Sequence, residues 1–511
     1  LIGDMNRNFF RILNDNFDKY SDNILIEEDK GKSWTYHDVK QLTFHFSSFL
    51  KKLGLKKGSK IIIQAEKTVY SVCLYLCCLK SGIIYVPLNT AYTSNEMAYF
   101  IDNIDPDLMF LSSEKLSEHK NLLTKHKKIK TLVLERDNEE LIEEVYGSKK
   151  DNYIEDLDEN YIASIIFTSG TTGKSKGAMI THKNLESNGK ALRSIWGFSE
   201  DDILLHALPI FHVHGLFVAL NTIFLSGAKI IFFEKFSPES LIKRLPEATV
   251  MMGVPTYYSR LLSKSNFNKD VCESMRLFIS GSAPLTEIVF KEFEERTGHK
   301  ILERYGMSET GMISSNPLNG ERVPGTVGFA LPDVEVRVAN ELGEVLSSGD
   351  RGIVEVKGPN VFRGYWKLEE KTKKDLRSDG FFITGDVGQL DNDGRLILFG
   401  RSNDMLISGG YNIYPKEIEL ILDEIEGINE SAVIGCPHDD LGEAVVAILI
   451  STKSKNIISD DSIEEILLKS LAKFKCPVRY IWLNELPRNA MGKVQKKVLK
   501  EKYKKIFKEI K

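Results

Sequence analysis

A strand–helix–strand rhythm in the first 150 residues most limits the fold of this chain. The segment SKIIIQAEK (59–67) has the apolar composition of a buried strand, residues 69–80 have the spacing of a helix, and GIIYVPLN (82–89) is again typical of a strand. This alternation predicts an α/β fold with a parallel sheet. A further buried strand, YIASIIFTSG (161–170), runs into a loop of Gly, Ser and Thr.

The pattern changes after about residue 320. Segments such as GIVEVKG (352–358) and GRLILFG (394–400) are short strands bounded by glycine, which indicates an antiparallel or barrel-like unit. The segment 400–404 then separates this part from a smaller βαβ-like C-terminal part. We therefore expect a large N-terminal domain (1–401) of parallel α/β subdomains plus a small β-barrel-like part, followed by a small α+β C-terminal domain (402–511).

Composition limits the partners and the compartment. A net charge of −4 argues against bulk electrostatic capture of nucleic acid. No apolar run reaches the ~18 residues of a membrane span, and the first residues lack the apolar core of a signal peptide. The six cysteines form no CxxC pair, so zinc spacing is absent and a reducing compartment is favoured. We expect a cytoplasmic protein; an upstream targeting segment and the oligomeric state (monomer or dimer) stay open.

The segment TSGTTGKSKG (168–177) is the strongest chemical motif. Its glycines and small hydroxyls let backbone N–H groups approach an anion closely, and its lysines add positive charge. A P-loop would need glycine five positions before the Gly–Lys pair, where this chain has Thr168. The motif therefore predicts a triphosphate-binding loop of another kind, formed by Thr168, Ser169, Gly170, Thr171, Thr172, Gly173 and Lys176.

This loop resembles the T-S-G-T-T-G-x-P-K-G motif of the adenylate-forming superfamily, which includes acyl-CoA synthetases, luciferases and adenylation domains; Ser175 replaces the proline. Nearly the whole chain continues the resemblance in order, with LPIFHVHG (208–215), SGSAPL (280–285), YGMSE (305–309), FITGD (382–386), GRSNDMLISGGYNIYPKEIE (400–419) and LPRNAMGKVQKK (486–497). The resemblance implies an acid–CoA ligase that uses ATP, Mg²⁺ and coenzyme A, with a mobile C-terminal domain.

The resemblance also implies residue roles. Lys176 would hold the β- and γ-phosphates, Glu309 would bind Mg²⁺ as a hard oxygen ligand, and Lys493 would neutralise charge developing at the α-phosphate. Ser308 keeps a hydroxyl where the family usually has threonine. The remaining nucleotide contacts would be the ribose-binding Asp386, together with Ser282, Ala283, Pro284, Tyr305, Gly306 and Arg401. Taken singly, Asp386 is better explained as a turn residue, and Glu309 is equally well explained as a solvated residue at a helix start. The alternative for Arg401 is a surface arginine, and only the motif distinguishes Lys493 from the other basic residues.

Two half-reactions follow from this resemblance. The acid's carboxylate attacks the α-phosphate and pyrophosphate leaves, and the CoA thiol then displaces AMP. In relatives the C-terminal domain rotates between these steps. The pivot position is Asn403 here, where relatives usually carry Asp or Lys, and Gly409 and Gly410 would line the CoA tunnel.

The segments YVPLNTAYT (85–93), ATVMMGVPTYY (248–258) and RVPGTVGFALPDVEVRV (322–338) carry a finer resemblance, to the malonyl-CoA synthetase branch. This resemblance implies that the acid is malonate or methylmalonate. A dicarboxylate brings a second negative charge, and burying that charge without a partner is very costly, so the pocket needs a cation. The candidates are Arg260 and Arg276, with His212 bordering the acyl pocket. Three alternatives stay open: a ligase for another short-chain, medium-chain or aromatic acid, an enzyme that loads a carrier protein, and a catalytically inactive nucleotide-binding relative.

Overall fold

A computed structural model describes residues 7–29, 31–168, 175–408, 411–438, 441–451, 458–489 and 492–507. Within these residues the α-helices are α1 (Phe9–Lys19), α2 (Tyr36–Lys52), α3 (Val69–Ser81), α4 (Ser94–Ile104), α5 (Ser113–Glu118), α6 (Lys120–Leu123), α7 (Glu139–Tyr146), α8 (His182–Ile195), α9 (Asn221–Ser226), α10 (Pro238–Arg244), α11 (Pro255–Leu262), α12 (Glu287–Thr297), α13 (Glu369–Asp375), α14 (Pro415–Leu422), α15 (Asp460–Leu468) and α16 (Lys496–Tyr503). A π-helix covers His214–Leu220.

The β-strands of the same residues are β1 (Ile24–Glu28), β2 (Ser33–Thr35), β3 (Lys60–Gln64), β4 (Ile84–Pro87), β5 (Leu108–Leu111), β6 (Lys130–Val133), β7 (Ile162–Thr168), β8 (Lys176–Thr181), β9 (Ile203–His206), β10 (Lys229–Phe232), β11 (Val250–Gly253), β12 (Leu277–Ser280), β13 (Leu302–Met307), β14 (Gly311–Ser315), β15 (Phe329–Ala330), β16 (Glu335–Ala339), β17 (Gly352–Lys357), β18 (Gly364–Tyr365), β19 (Phe382–Leu390), β20 (Leu396–Arg401), β21 (Leu406–Ser408), β22 (Tyr411–Ile413), β23 (Ile428–His438), β24 (Gly442–Ser451) and β25 (Arg479–Leu483).

These strands form four sheets. Two are large and mostly parallel, in the orders β18-β8-β7-β4-β3-β5-β6 and β15-β14-β13-β12-β11-β9-β10-β1-β2. The part expected to be barrel-like is an antiparallel four-stranded sheet, β16-β17-β19-β20, and the C-terminal sheet has the order β22-β21-β24-β23 with β25 beside β24. The α/β fold predicted from the strand–helix–strand pattern is confirmed, since β3 and β4 pair in parallel on either side of α3.

Local signals in the sequence explain where key helices begin and end. Helix α2 begins at a capping box, in which the Thr35 side chain accepts from the Asp38 N–H and the Asp38 carboxylate accepts from the Thr35 N–H. Helix α3 ends at Gly82, whose φ of 62° is a left-handed conformation that glycine adopts at little cost. The apolar α3 is buried almost throughout, and the cysteines at 73, 77 and 78 are free buried thiols, as predicted.

The parallel strands bring the motif segments together. Parallel strands present their carboxyl ends at one edge of a sheet, and in open α/β sheets ligands bind in the crevice outside that edge. The segment 281–285 directly follows β12, and β13 itself ends in the Tyr305–Met307 part of its motif. No helix in the described parts of the chain is long and apolar enough to cross a membrane.

Candidate active site

The predicted phosphate loop connects β7 to β8. These two strands are antiparallel, and Thr168 faces Lys176 in their register, with the Thr168 hydroxyl donating to the Lys176 carbonyl oxygen at 3.4 Å. Ser169, Gly170, Thr171, Thr172 and Gly173 lie outside the described residues, so their contacts with ATP stay predictions.

Lys176 and Glu309 both contact the side chain of Tyr365. The Lys176 ammonium lies 4.6 Å from the centre of this ring, and the Tyr365 hydroxyl donates to Oε1 of Glu309 at 3.0 Å. Burial lowers the pKa of Lys176 and Lys371 lowers it further, whereas the Glu309 carboxylate opposes the shift. Two predicted catalytic residues from distant segments thus share one corner of the site.

The donor set at Glu309 fits a magnesium ion that is shared with a substrate. Glu309 is buried, with 5% of the residue exposed. Its Oε1 accepts from Tyr365, and no side chain among the described residues donates to its Oε2. The described residues contain no group of three or more His, Cys, Asp or Glu that could hold a metal. Mg²⁺ typically binds one or two carboxylates together with substrate phosphates, so a single carboxylate near Lys176 is suitable.

The predicted ribose-binding residues form one hydrogen-bonded group. Asp386 and Arg401 face each other in the register of β19 and β20, and Arg401 Nε lies 2.8 Å from Asp386 Oδ1. The Tyr305 hydroxyl donates to the other oxygen of Asp386, and Arg401 Nη1 donates to the Thr384 carbonyl at 2.9 Å. A carboxylate oxygen can accept more than one hydrogen bond, so Asp386 is held in place and can still accept from hydroxyls.

The expected adenine-side loop, which contains Ser282, Ala283 and Pro284, is fixed at both ends. Ser282 has a φ of 71°, a left-handed conformation unusual for serine, and its hydroxyl lies 3.3 Å from His214 Nδ1. At the other end, the Leu285 N–H donates to Glu303 Oε1 at 3.2 Å. Burial raises the pKa of Glu303 to about 7.

Arg304 is a site residue that the sequence analysis missed. It is buried, with 3% exposed, and its Nε and Nη2 have no hydrogen-bond partner among the described residues. Its guanidinium packs on the backbone of Gly281, where an added Cβ would lie 2.4 Å from Cζ. Burial lowers the pKa of Arg304 to about 9. The one signal in the sequence was the pair of charged residues in the strand segment ILERYG (301–306).

His214 and His212 border the same region. Burial holds the pKa of His214 well below its ordinary value, and the nearby positive charge of Arg304 adds to this effect. Burial and then the charge of Lys493 lower the pKa of His212 to about 3. Nε2 of each ring is buried without a hydrogen-bond partner in the described structure. The two neutral imidazoles therefore lie within electrostatic reach of two positive charges, His212 of Lys493 and His214 of Arg304.

The two arginines expected in the acyl pocket lie elsewhere. Arg276 precedes β12, at the edge of the sheet opposite to the 281–285 loop, and its Nε and Nη2 lie 2.6 and 2.7 Å from the carboxylate of Asp202. A guanidinium committed to this ion pair cannot serve the acyl pocket, so the expectation for Arg276 was wrong. Arg260 is exposed on α11 and makes no ion pair within the described residues, and its role stays a prediction.

Lys493 lies in the cleft with the other predicted catalytic residues. Burial lowers its pKa and the charge of Arg401 lowers it further, whereas the carboxylates of Asp386 and Glu309 oppose the shift. Lys493 is nevertheless an exposed residue, so its ammonium lies in a cleft that is open to solvent. An added Cβ on the preceding Gly492 would lie 3.4 Å from Thr256 Oγ1, which places this C-terminal segment against the start of α11.

Other predicted residues are only partly described. Asn403 lies in a 3₁₀ turn, Ser402–Asp404, directly after β20, as a connection between two units requires. Gly409 and Gly410 lie outside the described residues. The roles of all three stay predictions.

A cavity of about 610 Å³ opens beside the LPIFHVHG motif. The rings of Phe236 and Tyr257 stack in its wall with centroids 3.8 Å apart. The cavity lies between the carboxyl ends of the strands of both parallel sheets, and its lining includes Lys67, Pro209, Ile210, Phe211, Phe236 and Tyr257.

Comparison with known proteins agrees with this geometry. The family model of AMP-binding enzymes matches residues 13–366, and the model of the AMP-binding enzyme C-terminal domain matches residues 417–493. The ATP-bound crystal structure of MatB from Rhodopseudomonas palustris superposes with a TM-score of 0.94, at 44% identity over 98% of this chain and 100% of that chain.

Two curated relatives extend the comparison. A malonate–CoA ligase of Arabidopsis thaliana is 35% identical over 94% of this chain and 86% of its own length. A long-chain-fatty-acid–CoA ligase of Bacillus subtilis is 31% identical over 97% of this chain and 94% of its own length.

Proposed function

Since this chain belongs to the family of AMP-binding enzymes and is an AMP-forming acid–CoA ligase, we propose that the acid it activates is malonate. The observation that carries the proposal is the buried, unpaired guanidinium of Arg304 beside His214 and the Ser282 loop. An uncompensated buried charge is destabilising, and a ligand carboxylate would compensate it.

The second carboxylate of malonate would lie at Arg304 while the first reacts. Bidentate pairing with a carboxylate suits the planar guanidinium, and the unpartnered Nε and Nη2 are two such donors. The name of the Bacillus subtilis relative indicates a fatty acid as its substrate. A fatty acid in this site would leave the charge of Arg304 against an apolar chain. Methylmalonate carries the same two charges and is the nearest competitor. The proposal for Arg304 replaces the one for Arg276.

The first half-reaction would join the acid to AMP. A carboxylate oxygen of malonate attacks the α-phosphorus of ATP, and the bond to the bridging oxygen breaks as pyrophosphate leaves. Lys493 would neutralise the negative charge that builds up between the two anions, and Lys176 would hold the departing phosphates. Mg²⁺ held at Glu309 would supply further positive charge to the phosphates.

The second half-reaction would transfer the malonyl group to coenzyme A. The thiolate sulfur attacks the carbonyl carbon of the mixed anhydride, and AMP leaves with the bonding electrons. We propose that the pantetheine arm enters through the cavity beside Pro209–Phe211, whose lining combines apolar and polar groups. Rotation about Asn403, with the unit boundary after Arg401, would bring Gly409 and Gly410 to this arm.

A catalytically inactive relative is disfavoured by the clustering of the charged groups. Lys176 lies against the Tyr365 ring that also binds Glu309, and Lys493 interacts electrostatically with Asp386 and Arg401. A protein that only binds nucleotides would not need a lysine from the C-terminal segment at this position.

Acid-dependent ATP–pyrophosphate exchange tests the proposal at the first half-reaction alone. Malonate should support exchange at lower concentrations than acetate, butyrate, octanoate or benzoate. Exchange that is fastest with one of the monocarboxylates would reject malonate, and the absence of exchange with every acid would support the inactive relative.

We also propose that the protein works in the cytoplasm. All six cysteines are free and buried, which suits a reducing compartment. A mouse relative is described as a mitochondrial malonate–CoA ligase, so the mitochondrion is the competing location. Imaging of the full-length protein in its own cells would separate the two.

A further inference from the structure

Lys493 lies in a hairpin, of which the structure describes residues 486–489 and 492–496. On each arm of this hairpin, one ion pair connects it to the preceding part of the C-terminal region. On the first arm, Arg488 Nη2 pairs with the carboxylate of Glu430 on β23. On the second arm, Lys496 Nζ lies 2.6 Å from Glu419 Oε1 on α14. Lys496 is only three residues from Lys493 and is the first residue of α16.

One hydrogen bond to a side chain and two backbone hydrogen bonds connect the two arms of the hairpin, so that the ion pairs constrain both arms. The Lys493 N–H donates to Asn489 Oδ1 at 3.0 Å, and the Asn489 N–H donates to the Lys493 carbonyl at 2.9 Å. The Gln495 N–H donates to the Pro487 carbonyl at 2.7 Å. A shift of either arm would therefore move the Cα of Lys493.

The Glu419 carboxylate, which pairs with the second arm, is buried and hydrogen-bonded. The Glu419 side chain is 7% exposed, against 20% for Lys496, and its Oε1 also accepts the Val433 N–H at 2.8 Å. Burial raises the pKa of Glu419, but the charges of Lys496 and Lys416 outweigh this effect and lower it. Buried ion pairs add little net stability compared with apolar packing, so geometric positioning is the stronger reason for this one.

We infer that Lys496 and Glu419 are positioning residues that hold Lys493 at the position in the cleft that adenylation needs. The inference rests on the ligase reaction and not on malonate as the acid. Misplacing a catalytic group by about 1 Å can cost about 100-fold in rate, so the pair controls the reaction without touching a substrate.

The test compares three single variants of the full-length protein in ATP–pyrophosphate exchange. Lys496→Met should lower the exchange rate about 10- to 100-fold, whereas Lys496→Arg, which can still reach the carboxylate, should keep most of it. Lys229→Met is the control, since Lys229 is 24% exposed at its side chain, against 20% for Lys496, and also pairs with a carboxylate, that of Glu27. Lys229 begins β10, at the edge of its sheet opposite to the cleft. Lys229→Met should leave the rate unchanged.

A double variant separates positioning from general stabilisation. If Lys496 acts through Lys493, then Lys493→Met/Lys496→Met should be no slower than Lys493→Met alone. Amide hydrogen exchange of residues 486–496 gives a readout that needs no turnover, and it should speed up in Lys496→Met but not in Lys229→Met. Normal hydrogen exchange in Lys496→Met, or additive losses in the double variant, would overturn the inference. Absence of pyrophosphate exchange in the wild type would instead reject the ligase function.

Discussion

The Tyr365 hydroxyl donates to Glu309 Oε1 at 3.0 Å, and this bond links β18 to the segment after β13. Burial raises the pKa of the Tyr365 phenol, and the Glu309 carboxylate raises it further, so this hydroxyl remains a donor at neutral pH. The bond thus holds one oxygen of the Glu309 carboxylate and leaves the other for a ligand. The bond suggests how Mg²⁺ binding can be tested apart from Glu309 itself.

Tyr365→Phe should weaken the Mg²⁺ dependence of the first half-reaction. Loss of an outer hydrogen bond to a metal-binding carboxylate typically costs about 10-fold or more in metal affinity. We expect a rise of about tenfold in the Mg²⁺ concentration for half-maximal pyrophosphate exchange. The exposed Tyr153 supplies the control, Tyr153→Phe, which should not change this concentration. An unchanged Mg²⁺ titration of Tyr365→Phe would show that this hydrogen bond does not orient a Mg²⁺ ligand.

The pH profile should report the ionisation of Lys493. Adenylation requires the ammonium form, and burial together with the charge of Arg401 lowers the pKa of this lysine from its ordinary value. The exchange rate should therefore fall on the alkaline side at a lower pH than an ordinary lysine would give. In Lys493→Arg, whose guanidinium stays charged, whatever activity remains should lack this fall. The same alkaline fall in both proteins would assign the ionisation to another group.

Arg276→Ala should affect stability and not the choice of acid. Asp202 is 4% exposed at its side chain, and the variant would leave its carboxylate buried without a cation. Breaking such a pair costs about 3 kcal/mol in the free energy of unfolding. Chemical denaturation should show this loss, while the KM for the acid stays that of the wild type. A selective rise in KM for malonate would return Arg276 to the acyl pocket.

Arg304→Met should separate stability from binding. The variant removes an unpaired buried charge, so its melting temperature without ligands should equal or exceed that of the wild type. When the protein is already saturated with an unreactive ATP analogue, added malonate should raise the melting temperature of the wild type further and should not raise that of the variant. A variant that malonate still stabilises would show that the second carboxylate lies elsewhere.

The sequence predicted those parts of the site that lie in motifs with a chemical requirement. The resemblance to the adenylate-forming superfamily implies roles for Lys176, Glu309, Asp386, Arg401 and Lys493, and the structure brings these residues into one cleft. Their specific contacts with substrates stay predictions. The parallel sheets were predictable because strand and helix periodicities are local.

The missed features depend on long-range packing. Arg276 is excluded from the acyl pocket because it pairs with Asp202, which lies 74 residues away in the sequence and directly precedes β9. The importance of Arg304 comes from its burial without a partner in the middle of a strand, and strand pattern alone cannot tell a paired arginine from an unpaired one. Likewise, the pairing of β1 with β10 joins segments about 200 residues apart in the sequence.

The most direct test of the account is the rate of acid-dependent CoA thioester formation with ATP and Mg²⁺. It should be measured for malonate, methylmalonate, acetate, butyrate, octanoate and benzoate, with the wild type, Arg304→Met and Arg260→Ala. The account predicts that malonate gives the highest kcat/KM in the wild type, and that Arg304→Met lowers this value at least about 100-fold more than its value for acetate. A monocarboxylate that leads in the wild type, or an Arg304→Met variant that still prefers malonate, would contradict it.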